Sequence, residues 1–218
     1  MTEKCGEVVI RDAVLTDAER IREIYDHYVR HTAISFEYET PTPEEMRERM
    51  HRTMARFPYL AAERDGVVQG YAYAGPFKER AAYDWCCELS IYLAQDARKC
   101  GMGRRLYAAM EERLRDMGVL NLYACITCPD REDEYVTRNS MEFHSHLGFR
   151  QVAEFRSCGY KFGRWYNMIW MEKMIGEHRP DQPPVVPYPE TRGGTVRTVR
   201  GWSCLLYTSP SPRDYAAS

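Results

Sequence analysis

No stretch of the 218-residue sequence approaches the roughly 20 consecutive apolar residues needed to cross a bilayer. Met1 to Gly6 holds no apolar core of the kind a secretory leader needs, so no export signal is expected. Charge of one sign is also missing. With 30 basic and 32 acidic residues the formal charge is −2, which gives nucleic acid no general basic face to bind. The expectation is a cytoplasmic protein with neither nucleic acid nor membrane as partner. The 8 cysteines would make a disulfide framework in a small exported chain; here reduced thiols are expected. Cys125-Ile126-Thr127-Cys128 has the spacing of a zinc half-site or redox pair, but no second pair stands at a matching distance. Cys125 ends an apolar strand-like run, so both thiols read as small core residues and no metal is expected. His27 and His31 could share a metal on one helix face, but no third ligand lies nearby, and they read as a solvated helix end.

What is present suffices for one well-buried core, a single layered α/β domain over about residues 5–176. Thr16-Asp17-Ala18-Glu19 and Thr42-Pro43-Glu44-Glu45 are capping boxes that open two early helices. Strands Tyr59 to Glu63 and Val67 to Ala74 flank Asp65-Gly66, a hairpin turn signal. A strand from about Tyr83 to Leu93 leads to a helix ending near Gly118, then to a strand over Leu120 to Ile126. Asn139 to Leu147 reads as a short helix stopped by Gly148, with Phe149 placed for a Schellman contact. Strands Gln151 to Phe162 and Trp165 to Lys173, joined at Gly163-Arg164, complete a mixed, mostly antiparallel sheet with helices on both faces. A Pro-rich extension follows over 177–190. Residues 191–218 have no periodicity and are expected to be foreign to the fold.

Between the strand ending at Leu93 and its helix stands Arg98-Lys99-Cys100-Gly101-Met102-Gly103-Arg104, an R-x-x-G-x-G run. Backbone N–H groups at a helix start point outward and the helix dipole favours negative charge, so this turn suits a phosphate. Gly101 and Gly103 keep Cβ atoms out of the way.

The element order and R-x-x-G-x-G resemble the GNAT acetyltransferases, whose loop amides hold the pyrophosphate of acetyl-CoA. The run Ala72 to Trp85, with Asn139-Ser140, His144 to Phe149 and Gly159 to Trp165, resembles the phosphinothricin acetyltransferase branch of that family, and the likeness covers about residues 8–174. The resemblance implies acetyl transfer from acetyl-CoA to the α-amino group of a small amino-acid analogue such as phosphinothricin, methionine sulfoximine or methionine sulfone. An α-ammonium must lose a proton before it attacks a thioester, so a general base is required. Glu88, beside Tyr83, Trp85 and Tyr92, is the candidate, with its pKa raised by aromatic surface. His144 stands where many GNAT enzymes carry a tyrosine and can donate a proton or orient the cofactor sulfur. The resemblance places the cofactor along Ile91, Tyr92 and Leu93, with a backbone N–H near Ile91 and Tyr92 for the oxyanion, and Asn139 on the pantetheine arm. Lys78 and Arg80 suit a substrate carboxylate or phosphinate, and Phe36 and Tyr83 the pocket walls. Two departures from the branch stand out: the connection Pro129 to Arg138 is longer, and Tyr166-Asn167 replaces an aspartate-containing pair. Both put the identity of the amine in doubt. A homodimer is expected from the family. The alternatives are another amine, a polyamine or protein N-terminus, or a non-catalytic acetyl-CoA sensor; retention of Glu88 and His144 counts against the sensor.

Overall fold

The computed structural model describes residues 8–97 and 101–192. The β-branched run Val8, Val9 and Ile10 opens β1 (Val8–Asp12), which leads through a single 3-10 turn into α1 (Ala18–His31) and then α2 (Pro43–Met54). β2 (Tyr59–Arg64) and β3 (Val67–Pro76) form the expected hairpin, with Asp65 and Gly66 both at positive φ, 53° and 76°. β4 (Cys86–Leu93), α3 (Met102–Met117), β5 (Asn121–Cys128) and α4 (Asn139–His146) follow. β6 (Arg150–Lys161), β7 (Arg164–Met174) and a short α5 (Tyr188–Thr191) complete the described chain.

The strands form one seven-stranded sheet in the order β1-β2-β3-β4-β5-β7-β6. The β4–β5 pair is parallel and the remaining pairs are antiparallel. α1 packs over Tyr92 through Tyr25 and Tyr28, whereas Gly103 of α3 lies on Ile91. Neighbouring residues on a strand face opposite ways, so the helices cover both faces.

Several local expectations differ from the structure. The Thr42 box forms, with the Thr42 hydroxyl accepting from the Glu45 N–H at 3.2 Å and the Glu45 carboxylate accepting from the Thr42 N–H at 2.7 Å. The Thr16 box does not form. Asp17 instead sits at the cap of α1, where its carboxylate takes both Arg11 NH groups at 2.7 and 2.9 Å and the Val14 N–H at 2.9 Å. An ion pair outcompeted the local cap. Ala81–Tyr83 is a 3-10 turn, so β4 starts at Cys86 rather than at Tyr83. The final hairpin turns at Phe162 and Gly163, both at positive φ, one residue earlier than the glycine alone suggested. The end of α4 is as expected: Phe149 N–H reaches His144 O and Gly148 N–H reaches Ser145 O, each at 3.0 Å.

The Pro-rich extension lies against the domain instead of leaving it. Trp85 Nε1 donates to Pro183 O at 2.8 Å, and Val186 N–H donates to Met117 O at 2.8 Å. Tyr188 is buried; its hydroxyl donates to Asp12 at 2.8 Å and accepts from Arg113 at 2.9 Å. Proline-rich composition reads as a linker, but one buried tyrosine anchors this one. The reading of 191–218 as foreign lies, beyond Arg192, outside the described residues. Replacing Tyr188 by alanine should therefore cost about 3 kcal/mol of unfolding free energy in urea, as for other buried aromatics. A cost below about 1 kcal/mol would mean that the extension contributes nothing to the fold.

Candidate active site

A gap in the middle of the sheet organises the site. β4 and β5 pair only at Cys86–Asn121, Cys87–Leu122 and Glu88–Tyr123, and beyond Glu88 they part. The cleft between them passes through the sheet. Ser90, Tyr92, Cys125 and Thr127 line it on the α1 face, and Tyr107, Ser140 and His144 on the α3 face.

Strand alternation decides which amides face the gap. Ala94 N–H donates to Gln69 O at 2.8 Å, so Tyr92 and Ser90, two and four residues earlier, also point theirs at β3. The Ile91 N–H therefore points into the gap, where β5 no longer pairs. Of the two residues expected to supply an oxyanion donor, geometry favours Ile91. Leu93 faces the same way but is engaged: its N–H donates to the Tyr28 hydroxyl at 3.1 Å, and that hydroxyl donates to Leu93 O at 2.7 Å. The cofactor role given to Leu93 overlooked Tyr28, which fills the edge that β5 vacates.

At the far end of β4 the chain turns into α3. Gly101 has φ 70° and no side-chain cap, and the first backbone bond of the helix runs from Arg105 N–H to Gly101 O at 3.2 Å. Met102, Gly103 and Arg104 form the first turn of α3, whose amides a helix start leaves free of intrahelical partners and so offers to an anion. Gly103 needs its missing Cβ for another reason than anion approach: a Cβ there would come within 3.2 Å of the Phe143 ring and 3.5 Å of Ile91. The Met102 side chain is buried in the core, so it can serve an anion through its backbone alone. Arg98, Lys99 and Cys100 lie outside the described residues.

Glu88 is half-buried where the strands part. Burial raises its carboxyl above the ordinary 4.5, partly countered by the Lys78 charge. Lys78 Nζ sits 5.1 Å from the Phe77 ring centre and 5.8 Å from that of Trp170. Cys125 feels both Glu88 and Lys78, and burial pushes its thiol up to about 12. It lines the cleft rather than the core, whereas Cys128 lies three residues on, 3.9 Å from the Met141 sulfur. Opposite strand faces separate the two thiols, and among the described residues no cluster of three ligands could hold a metal.

His144 is 3% exposed. Its Nδ1 lies 2.7 Å from Ser140 O, and a carbonyl can only accept, so Nδ1 carries the proton. Nε2 of the neutral ring is then an acceptor, 2.8 Å from the Tyr107 hydroxyl. Burial also lowers the imidazole below 6.5. The role of proton donor expected of His144 does not suit this arrangement; the ring instead fixes Tyr107. Helical spacing gave Tyr107 no distinction from its core neighbours Leu106 and Met110, so the sequence did not reveal it.

The remaining expected residues divide. Tyr83 is exposed against Phe77, 5.9 Å between rings, and stands outside the cleft lining. Arg80 is exposed at the head of the 3-10 turn, and Asn139 is exposed at the first position of α4 with Arg138, not Asn139, at the cap. Phe36 does not wall the cleft; its ring covers Gly159, where a Cβ would come within 2.8 Å of it, and lies 6.4 Å from Tyr166. Ile34, two residues earlier, takes that place. The connection 129–138 and the Tyr166-Asn167 pair form one unit. Tyr166 donates to Asp133 at 2.9 Å, Asn167 donates to Asp130 at 2.9 Å, and Arg164 reaches Asp133 and Glu134. Tyr135 O then accepts from Ala33 N–H at 3.0 Å, so the longer connection holds the loop that carries Ile34.

Comparison with known proteins agrees with this geometry. Residues 10–170 match the acetyltransferase (GNAT) domain model. Phosphinothricin N-acetyltransferase of Streptomyces viridochromogenes is 32% identical over 81% of this chain and 92% of its own length. The L-methionine sulfoximine/L-methionine sulfone acetyltransferase of Salmonella typhimurium is 31% identical over 78% of this chain and 96% of its own. A crystal structure of a phosphinothricin acetyltransferase from Sinorhizobium meliloti in complex with acetyl-CoA superposes with a TM-score of 0.75 at 32% identity, covering 84% of this chain and 97% of that one.

His144 also yields a stability prediction. Its folded pKa lies below the ordinary value near 6.5, so the unfolded chain binds the extra proton first, and this stabilisation is present above about pH 6.5 and lost as pH falls. Between about pH 7.5 and 5.5 the urea midpoint should fall more steeply in the parent chain than in His144→Asn. Parallel curves would place His144 outside the buried pair.

Proposed function

The chain belongs to the GNAT acetyltransferase family, and on that premise we propose that it acetylates the α-amino group of a small amino-acid analogue of the phosphinothricin or methionine sulfoximine type, using acetyl-CoA as donor. The observation that carries this reading is Glu88: a carboxyl raised by burial, beside Lys78, at the point where β4 leaves β5.

The α3 amides at Met102, Gly103 and Arg104 receive the cofactor pyrophosphate, and the thioester lies in the gap. Glu88 takes a proton from the substrate ammonium, directly or through water, and the freed amine attacks the thioester carbonyl. The carbonyl oxygen becomes an oxyanion and accepts from Ile91 N–H. The tetrahedral intermediate collapses, the C–S bond breaks, the nitrogen gives its second proton to solvent water and CoA leaves as thiolate. Tyr107, its hydroxyl proton held by His144, walls the cleft on the α3 face. Lys78, with Arg80 from the same loop, pairs with the substrate carboxylate or phosphinate. Lys78 and Arg80 in this role favour an amino acid over a polyamine, whose charge they repel. The proposal also places the enzyme in the cytoplasm, acting as a homodimer. Phe155, Tyr160 and Trp165 expose 50%, 47% and 64% of their surface on the outer β6–β7 hairpin, a face that a second copy would cover, and sedimentation of the full chain tests this.

CoA release should be followed with methionine sulfoximine, phosphinothricin, spermidine and a peptide. The amino-acid analogues should be turned over best, and Glu88→Gln should lower their kcat/KM by at least about 100-fold while acetyl-CoA affinity stays unchanged. Preference for spermidine or peptide would refute the substrate class. Near-normal turnover by Glu88→Gln would refute the base.

A further inference from the structure

A second cavity, of about 240 Å³, opens on the α1 face between α1, α2 and the β2–β3 hairpin. It shares no lining side chain with the cleft, and the Tyr92 ring stands between them, 5.0 Å from Tyr25 and 5.3 Å from Tyr71. Its floor is a ladder of stacked phenols. The Tyr59 ring lies 5.8 Å from Tyr71 and 5.1 Å from Tyr73, within 15° of parallel to each.

The polar groups around this cavity are unevenly matched. Tyr59 and Tyr71 are 5% and 1% exposed, yet neither hydroxyl has a hydrogen-bond partner among the described residues. Glu37, the carboxylate on the lining, is engaged by Arg49 at 2.7 Å and by the Tyr25 hydroxyl at 3.0 Å. Arg52 also lines the cavity and makes no ion pair among the described residues. Two guanidinium groups against one carboxylate leave a net charge of +1, with O–H donors beneath it. An organic cation would be repelled, and an apolar occupant would strand two buried hydroxyls. We propose that this cavity binds a small oxyanion of the carboxylate, phosphate or phosphinate class, which accepts from the Tyr59 and Tyr71 hydroxyls and pairs with Arg52. It is a site distinct from that of the acceptor amine, and it does not depend on the reaction proposed above.

The full chain, saturated with CoA so that the α3 amides are occupied, should be titrated with inorganic phosphate, and separately with acetate, at constant ionic strength, with binding followed by calorimetry. Saturable binding of either anion is expected, and the preferred one identifies the class. Arg52→Glu, an exposed change that leaves the core intact, should weaken binding at least about tenfold, and so should Tyr59→Phe with Tyr71→Phe. Glu88→Gln should leave it unchanged. Absence of saturable binding would overturn the proposal and mark the cavity as holding water only; binding that survives Arg52→Glu would overturn it by placing the anion away from Arg52. Loss of binding in Glu88→Gln would also overturn it, by assigning the anion to the catalytic cleft.

Discussion

The structure depends on one incomplete ladder. β4 and β5 pair for three residues and then separate, which leaves backbone groups unpaired in the interior of a sheet. Such groups are costly to bury, so a strand edge normally finds a partner. Here one residue along the edge, Leu93, is satisfied by the Tyr28 hydroxyl, while the Ile91 amide is left facing the cleft. Glu88, the proposed base, the Ile91 amide and the Tyr107–His144 pair all lie along this gap. Parallel pairing makes it possible, since β4 reaches β5 only by way of α3, whose start then stands at the open end of the gap.

The two faces of the gap are built differently. On the α3 face the groups are rigid and local: α4 ends in a Schellman turn that brings Phe149 within 5.3 Å of the His144 ring, and Gly103 admits the Phe143 ring. On the α1 face the wall is a loop held at a distance. Ser35 O accepts from the buried Lys161 at 2.6 Å, Ala33 N–H reaches the 129–138 connection, and Asn167 ties that connection to β7. The α3 face is therefore built from local contacts, whereas the α1 face depends on residues far apart in the sequence.

That difference explains what could be read from the sequence. The order of strands and helices, the Asp65-Gly66 turn, the Thr42 cap and the Gly148 stop are local signals, and the structure contains them. The gap was legible only through resemblance, because no residue on β4 announces where pairing ends. Tyr107 looked like any core position until its hydroxyl met His144. Phe36 and Ile34 are alternatives on one loop, and the choice between them rests on Gly159, 123 residues away in sequence, where Phe36 can sit because no Cβ is present. The Thr16 cap failed for the same reason at smaller scale: Arg11 and Asp17 are neighbours only once β1 has turned into α1.

The account rests most directly on the Ile91 amide being unpaired in the free protein and used by the thioester. Backbone amide exchange, resolved residue by residue with and without acetyl-CoA, measures this. Ile91 should exchange quickly in the free chain and become protected when acetyl-CoA binds, while Tyr92, already paired with β3, should be protected in both states. An Ile91 amide protected before acetyl-CoA is added, or unchanged after it, would contradict the account.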